Sequence, residues 1–280
     1  MADSLRLAFY APDGTGDKLL VAAVMGGAAR HRDHVKFIPI DQYDGVDYSA
    51  DVVACYGVRA STRIITEAYR RAGKRSLFFD KGYWGRGIYT RVAVDAWQPT
   101  KYFRCNRPGD RLKASGLYVE QNSYETENGF IIYAATTQTW HDFYDLGPAR
   151  SLDEIIVRLL AITYPGRVLY RPRPAYAKKH PELCAPIDNV VVSHGNVSLA
   201  DELRSSSILV TLGSNAAVEA IAAGFMVQVL GDNPCSLLNG DTTFEQRKAF
   251  LADLAYCQWT LDEYHSGEAW ANIKSVMGAA

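Results

Sequence analysis

Several absences narrow the chemistry open to this chain. No apolar run approaches the roughly 20 residues needed to cross a bilayer, and the opening MADSLRLAFYAPDG is too short and acidic for a secretory signal. Five cysteines (Cys55, Cys105, Cys184, Cys235, Cys257) are scattered, with no C-x-x-C pair. That pattern argues against a zinc site or a disulfide framework, and for reduced thiols in a cytosolic protein. The glycine-rich loop Ala11–Lys18, APDGTGDK, matches neither G-x-x-x-x-G-K-[ST] nor G-x-G-x-x-G, which disfavours a P-loop kinase and a dehydrogenase. No D-x-D stands at a strand end, and His, Asp and Glu show no ligand spacing. The expectation is metal-independent chemistry with no bound cofactor. Internal repeats and low-complexity stretches are also missing.

What remains is an ordinary globular composition, 48% hydrophobic and 22% charged in 280 residues. Short apolar runs alternate with helical patterns. The first unit reads as strands near Leu5–Tyr10, Val35–Ile38, Asp51–Tyr56 and Ser76–Phe79, with helices over about 17–29 and 61–72. Residues 80–122 are irregular and rich in Gly, Pro, Arg and aromatics, an elaborated loop or hairpin. The second unit reads as strands at Phe130–Ala134, Arg167–Tyr170, Asn189–Val192, Ile208–Thr211 and Met226–Leu230. A helix opens at Ser151 through a capping box with Glu154, and others are expected at 198–205, 215–223, 243–254 and 266–277. Such alternation predicts α/β architecture with two Rossmann-like domains facing across a cleft. Their expected limits are 1–122 and 123–260, with 261–280 a terminal helix packing back on the first.

Charge is unevenly spread. Residues 1–180 hold 26 Lys/Arg against 19 Asp/Glu, and residues 181–280 hold 4 against 12. Within 59–113 there are 14 basic and 4 acidic residues, interleaved with Tyr, Trp and Phe. A folded basic face that attracts an anionic polymer is one reading. The other is that these arginines pair internally with the acidic C-terminal part.

The most informative stretch is 208–230, ILVTLGSNAAVEAIAAGFMVQVL. It reads as strand, small-residue turn, helix, glycine stop and strand. Gly213 lets the backbone approach a ligand closely, Ser214 and Asn215 can cap a helix or donate to phosphate, and Glu219 can accept two ribose hydroxyls. An ordinary capped turn is the plain alternative.

This stretch resembles the nucleotide-sugar-binding segment S-x-x-x-x-E-A-x-x-x-G-x-P-V of GT-B glycosyltransferases, through Ser214, Glu219, Ala220, Gly224 and Val227, with Met226 in place of the proline. The capsule-polysaccharide type and similar bacteriophage-encoded proteins carry a K/R-P-x-P stretch about forty residues earlier. Here that stretch is Arg171-Pro172-Arg173-Pro174, with Arg173 where the capsule enzymes have His. The resemblance implies a GT-B fold, a nucleotide-sugar donor and a hydroxyl acceptor. It implies donor contacts from Arg171, Arg173, His194, Gly213, Ser214, Asn215 and Glu219, His194 lying in the strand-end turn Ser193-His194-Gly195.

Glycosyl transfer needs a base for the acceptor hydroxyl and positive charge for the departing diphosphate. Gly16-Asp17-Lys18-Leu19 resembles the G-D-x-L segment of heptosyltransferase-like enzymes, so Asp17 is the first candidate base and Asp13 the second, against a simple charge at the first helical turn. Thr136-Thr137-Gln138-Thr139 is a polar strand-end loop, followed by His141 as a further candidate. The segments Asp80–Arg86 and Val94–Thr100 resemble D-x-G-Y-W-x-R and H-P-T stretches of the phage proteins, with Gln98 for His. They place Tyr83, Trp84, Arg86 and Trp97 as acceptor-side candidates, or as core anchors. With the basic block, the phage resemblance favours a 5-hydroxymethylpyrimidine in DNA as acceptor, in a host-cell cytoplasm. A capsule or cell-surface glycan is the alternative acceptor. An epimerase of GT-B-like fold and a non-catalytic nucleotide- or glycan-binding protein are the alternative classes.

Overall fold

A computed structural model describes residues 4–85, 87–99, 103, 106–121, 129–173, 187–193 and 197–278. The chain divides into two compact units: Met1–Arg111 together with Asp253–Ala280, and Leu112–Ala252.

The first unit holds a six-stranded sheet. Its strands are β1 (Arg6–Ala11), β2 (His34–Pro39), β3 (Val52–Tyr56), β4 (Arg75–Lys81), β5 (Tyr89–Val94) and β11 (Gln258–Thr260), in the order β11-β5-β4-β3-β1-β2. β1 pairs in parallel with β2 and β3, and β3 with β4, while β5 and β11 run antiparallel. The parallel strands read as continuous apolar runs because both faces are covered. Their side chains Leu7, Phe9, Val52, Ala54, Leu77 and Phe79 form the core with α1 (Thr15–Arg30), Trp259 and Trp270. α2 (Ala60–Arg71) connects β3 to β4 and buries Thr62, Ile65, Thr66 and Tyr69.

The segment 253–280 belongs to this unit through β11, α9 (Leu261–Ser266) and α10 (Glu268–Gly278). α9 lies hard against α1, and Gly27 makes that possible. A Cβ on Gly27 would stand 2.0 Å from the Tyr264 carbonyl oxygen, closer than any side chain can come. From α10, Trp270 Nε1 and Lys274 Nζ donate to Asp33 Oδ2 at 2.7 and 2.8 Å. Burial alone would raise the Asp33 pKa, but bonds from Lys274, Trp270 and the Leu5 N–H hold it below the ordinary carboxylate value.

The second unit is a five-stranded, wholly parallel sheet of β6 (Phe130–Ala134), β7 (Val168–Arg171), β8 (Val190–Val192), β9 (Ser206–Thr211) and β10 (Met226–Val229). The order is β10-β9-β6-β7-β8. Its helices are α3 (Asp110–Ala114, which begins at the division), α4 (Gln138–Tyr144), α5 (Ala149–Thr163), α6 (Leu199–Leu203), α7 (Ala216–Ala222) and α8 (Phe244–Ala255), the last ending beyond it. Beneath the sheet Asp153 on α5 is 2% exposed and accepts from Tyr133 Oη at 2.6 Å and Tyr170 Oη at 3.4 Å. Burial pushes its pKa up to about 6, the two hydroxyls opposing that rise.

Two local expectations are corrected. α5 starts at Ala149 after Pro148, so Ser151 and Glu154 form no capping box, and Glu154 instead pairs with Arg158 at 2.7 Å. The supposed polar loop 136–139 begins α4, with Thr137 capping it by accepting from Trp140 N–H at 3.2 Å. Of the loop or hairpin expected over 80–122, the hairpin is present, as β5 paired antiparallel with β4. No helix among the described residues is long and apolar enough to cross a membrane.

Candidate functional site

Each sheet has one place where neighbouring parallel strands lead their chains away in opposite directions, and ligands of such sheets bind at the carboxyl ends there. In the first unit it lies between β1 and β3. The loop after β1 carries Asp13 and enters α1 at Gly14. Asp13 is exposed and meets Lys18 at 2.8 Å. Asp17 is half-buried and folds back over the helix start, for a Cβ on Gly14 would lie 2.8 Å from its Oδ2. After β3 come Gly57 and Arg59, Gly57 N–H donating to the Phe79 carbonyl at 2.8 Å, which sets the end of β3 beside the end of β4. There Asp80 Oδ2 accepts from Arg91 at 2.7 Å. Burial pushes the Tyr56 hydroxyl pKa up; the charges of Asp80 and Asp17 push it further, and Arg59 opposes them. Tyr56 thus feels Asp80, Asp17 and Arg59 at these strand ends. Arg59, just past β3, escaped the sequence reading, and Asp80, within β4, entered it only as the first residue of the Asp80–Arg86 segment.

The aromatic residues assigned to an exposed acceptor surface are elsewhere. Tyr83 and Trp84 are 2% and 8% exposed, held in the core. Tyr83 donates from Oη to Gln98 Oε1 at 2.8 Å and accepts from Arg91 at 3.0 Å, and its N–H donates to Gln258 Oε1 at 2.7 Å. Arg91 also donates to Gln98. Trp97 is half-buried under the Arg70 guanidinium, 5.3 Å from its ring centre. Glycines at 82 and 85 permit this packing, since a Cβ at either would lie within 2.8 Å of Tyr89. Arg86 lies outside the described residues.

In the second unit the reversal lies between β6 and β9. Thr211 bridges the two strands, donating to the Ala134 carbonyl at 2.7 Å and accepting from Ser214 N–H at 3.0 Å. Gly213 is required because the Trp140 indole covers it; a Cβ there would stand 2.6 Å from Trp140 Cζ2. Asn233, fully buried, donates to the Gly213 carbonyl at 3.2 Å. Ser214 is half-buried and its Oγ accepts from Ala216 N–H at 3.2 Å, leaving its own O–H to donate. The turn therefore presents fewer open N–H groups than expected, with those of Ser214 and Ala216 satisfied inside it. Asn215 is half-buried at the start of α7, and Glu219 is exposed on it.

Across β6 the loop offers Thr136, which meets His141 Nε2 at 2.9 Å. His141 is wholly buried, not a surface group, and burial lowers its pKa, so the ring is neutral. Arg171 ends β7 in a buried ion pair with Glu202, with further bonds to Ser193 Oγ and the Val197 carbonyl. Arg173 is half-buried two residues on. His194 lies outside the described residues. Trp140 and Asn233, which shape the turn, were missed because they act on Gly213 only in the folded unit.

At least five of the fourteen basic residues of the block are held in ion pairs among the described residues. Arg63 and Arg71 pair with Glu67, Arg75 with Asp95, Arg91 with Asp80, and Arg111 with Glu263. Of these pairs, the one from Arg111 reaches the acidic C-terminal part, and the others use Glu67, Asp80 and Asp95 of the block itself. Among the described residues no group of three or more His, Cys, Asp or Glu is arranged to hold a metal.

The sequence matches no known family and no curated protein. Among solved structures, the chain is similar to a β-Kdo 2,4 transferase, KpsC of Thermosulfurimonas dismutans, with TM-score 0.58 and 14% identity over 92% of each chain. The β-Kdo 2,7 transferase of the same organism's KpsC gives 0.47 at 12% identity, covering 95% of this chain and 99% of that one. A UDP-GlcNAc 2-epimerase of Methanocaldococcus jannaschii, in complex with UDP-GlcNAc and UDP, gives 0.36 at 8% identity, covering 99% and 100%. The first likeness shows the fold: the chain has an α/β, GT-B-like fold of two Rossmann-like units.

Proposed function

We propose that this chain is a glycosyltransferase that moves a sugar from a nucleotide-sugar donor to a hydroxyl of a cell-surface or capsule glycan. The observation that carries the reading is the likeness to a β-Kdo transferase over nearly the whole of both chains, combined with a carboxylate cluster at one strand-end reversal and a hydroxyl-bearing turn at the other. Asp17 takes the proton of the acceptor hydroxyl. The acceptor oxygen forms a bond to the anomeric carbon, the bond from that carbon to the phosphate oxygen breaks, and the leaving group departs as a nucleotide anion. Ser214 donates to its phosphate, and Glu219 accepts from the ribose hydroxyls. Arg171 stays with Glu202, since freeing it would leave a buried carboxylate unpaired, and Arg173 takes the phosphate-contacting role that the K/R-P-x-P resemblance implies. No metal enters this scheme.

Glycan is preferred to 5-hydroxymethylpyrimidine DNA because the likeness of fold is to a β-Kdo 2,4 transferase, and ion pairs already occupy five arginines of the basic block. The test is mass spectrometry of the protein with mixed nucleotide sugars and, separately, capsule-type oligosaccharides and hydroxymethylated DNA. A sugar-sized mass gain on an oligosaccharide is expected. A gain on DNA alone would move the acceptor, and no donor consumption by the folded protein would sink the enzyme reading.

A further inference from the structure

Arg91 on β5 is 5% exposed, and its partner across the sheet is Asp80, one residue from the carboxyl end of β4. A guanidinium buried so deeply is costly unless it is paired and bonded. Here Nη2 donates to Asp80 Oδ2 at 2.7 Å, and Nη1 donates to Tyr83 Oη at 3.0 Å and to Gln98. The guanidinium carbon also lies 4.9 Å from the centre of the Tyr83 ring. Tyr83 and Gln98 are themselves 2% and 3% exposed and bonded to each other at 2.8 Å.

Asp80, by contrast, reaches solvent. Its side chain is 21% exposed. Among the described residues its Oδ1 has no hydrogen-bond partner, and it is not one of the enclosed atoms. One oxygen is thus fixed from the core and the other is presented outward. The place is the strand-end reversal of the first unit: Tyr56 at the end of β3 stands beside Phe79, and its hydroxyl feels both Asp80 and Asp17. A buried ion pair gains little over apolar residues of the same volume. Stability therefore gives a poor account of three buried side chains bonded in series behind one half-buried carboxylate. Orientation gives a better one, because a contact residue keeps its geometry when packing and bonds behind it lock its rotamer.

We propose that Asp80 contacts the acceptor sugar, Oδ1 accepting from a second hydroxyl of the sugar whose first hydroxyl Asp17 deprotonates, and that Arg91 is the positioning residue that holds it. A carboxylate paired with a guanidinium accepts and does not donate, so the acceptor face that meets Asp80 carries a free hydroxyl and no anionic group. The inference rests on the transferase reading and adds to it a second carboxylate with a binding role.

The experiment is steady-state kinetics of the full chain, with the nucleotide sugar and the capsule-type oligosaccharide that gains mass varied in turn. Asp80→Asn keeps an oxygen for Arg91 and removes the charge. It should raise the KM for the oligosaccharide at least about tenfold, the loss of one charge-assisted bond, with kcat and the KM for the nucleotide sugar as in the parent. Arg91→Lys keeps the charge without the two-armed grip and should raise the same KM severalfold, whereas a loosened fold would raise both KM values together. Should either variant fail to fold, Tyr83→Phe, which removes only the hydroxyl behind Arg91, decides by the same comparison. A parent-like KM for the oligosaccharide in Asp80→Asn overturns the inference and leaves the transferase reading standing. So does a loss confined to kcat or to the KM for the nucleotide sugar. No transfer by the folded parent to any acceptor sinks the transferase reading, and this inference with it.

Discussion

The two units use the same kind of parallel sheet and dress its reversal point in opposite ways. In the first, the strand ends present charge: Asp13 with Lys18, Asp17, Arg59, and Asp80 braced by the buried Arg91. In the second they present hydroxyls and small residues, with Thr136, Gly213 and Ser214 around Thr211, and the strongest charges, Arg171 and Glu202, are locked to each other. Charge that is held in place but not fully neutralised suits moving a proton. A small-residue turn stiffened by an indole and a buried Asn suits holding a ligand. The sheet does not decide which task a unit takes; the residues just past the strand ends do.

The sharpest break in this contrast is Asp17→Asn. It should lower the transfer rate by about 10²–10⁴, the usual contribution of a general base, while calorimetry shows nucleotide binding unaltered. A rate equal to the parent's would pass the role to Asp13.

The next concerns the carboxylate buried beneath the second unit's sheet. Asp153 titrates at about 6 when folded, against an ordinary 3.8. Between those values the folded chain holds more protons than the unfolded one, so stability falls as pH rises through that window and levels off above it. The loss attributable to Asp153 is about 3 kcal/mol. Urea melts at pH 4 and pH 7 should show it, and Asp153→Asn should flatten it. If the slope is the same in the variant, Asp153 is not its source.

Gly213→Ala tests the stiffened turn. The new methyl group collides with Trp140, so a loss of about 2 kcal/mol is expected in thermal or chemical melts, with nucleotide binding weakened as the turn shifts. A stable variant that binds normally would show that the indole has room to move.

The smallest effect is expected at Glu219, which is exposed. Glu219→Ala should weaken nucleotide binding by about 1 kcal/mol, the loss of a solvent-accessible charge-assisted bond. Unchanged affinity would make it an ordinary helix-surface residue.

Legibility in the sequence followed the physics of each element. β1, β3, β6 and β9 were readable because strands covered on both faces are unbroken apolar runs, and Phe130–Ala134 agreed to the residue. β11 was not, because three residues on an antiparallel edge carry no periodicity. α4 was taken for a loop because its start, Thr-Gln-Thr, is polar and its apolar side is largely one tryptophan and one phenylalanine. The turn at 213–215 announced itself through glycine and serine. By contrast, Tyr83 and Trp84 looked like surface because Arg and Gly flank them, whereas Gly82 and Gly85 pack closely on Tyr89 and Arg91 bonds the Tyr83 hydroxyl inside. Pairings such as Arg111 with Glu263 span much of the chain, and no local pattern foretells them.

The second unit is written into the middle of the first. Its residues, Leu112–Ala252, leave the ribosome before Asp253–Ala280 exists. Until then β5 has no β11 beside it, and the glycine face of α1 has no α9 to receive. At the usual pace of synthesis that gap lasts on the order of ten seconds. Throughout it the nascent first unit carries an open strand edge and a bare apolar helix, the two features most prone to wrong partners. The younger sequence is finished first, and the older one is closed last by its own final helices.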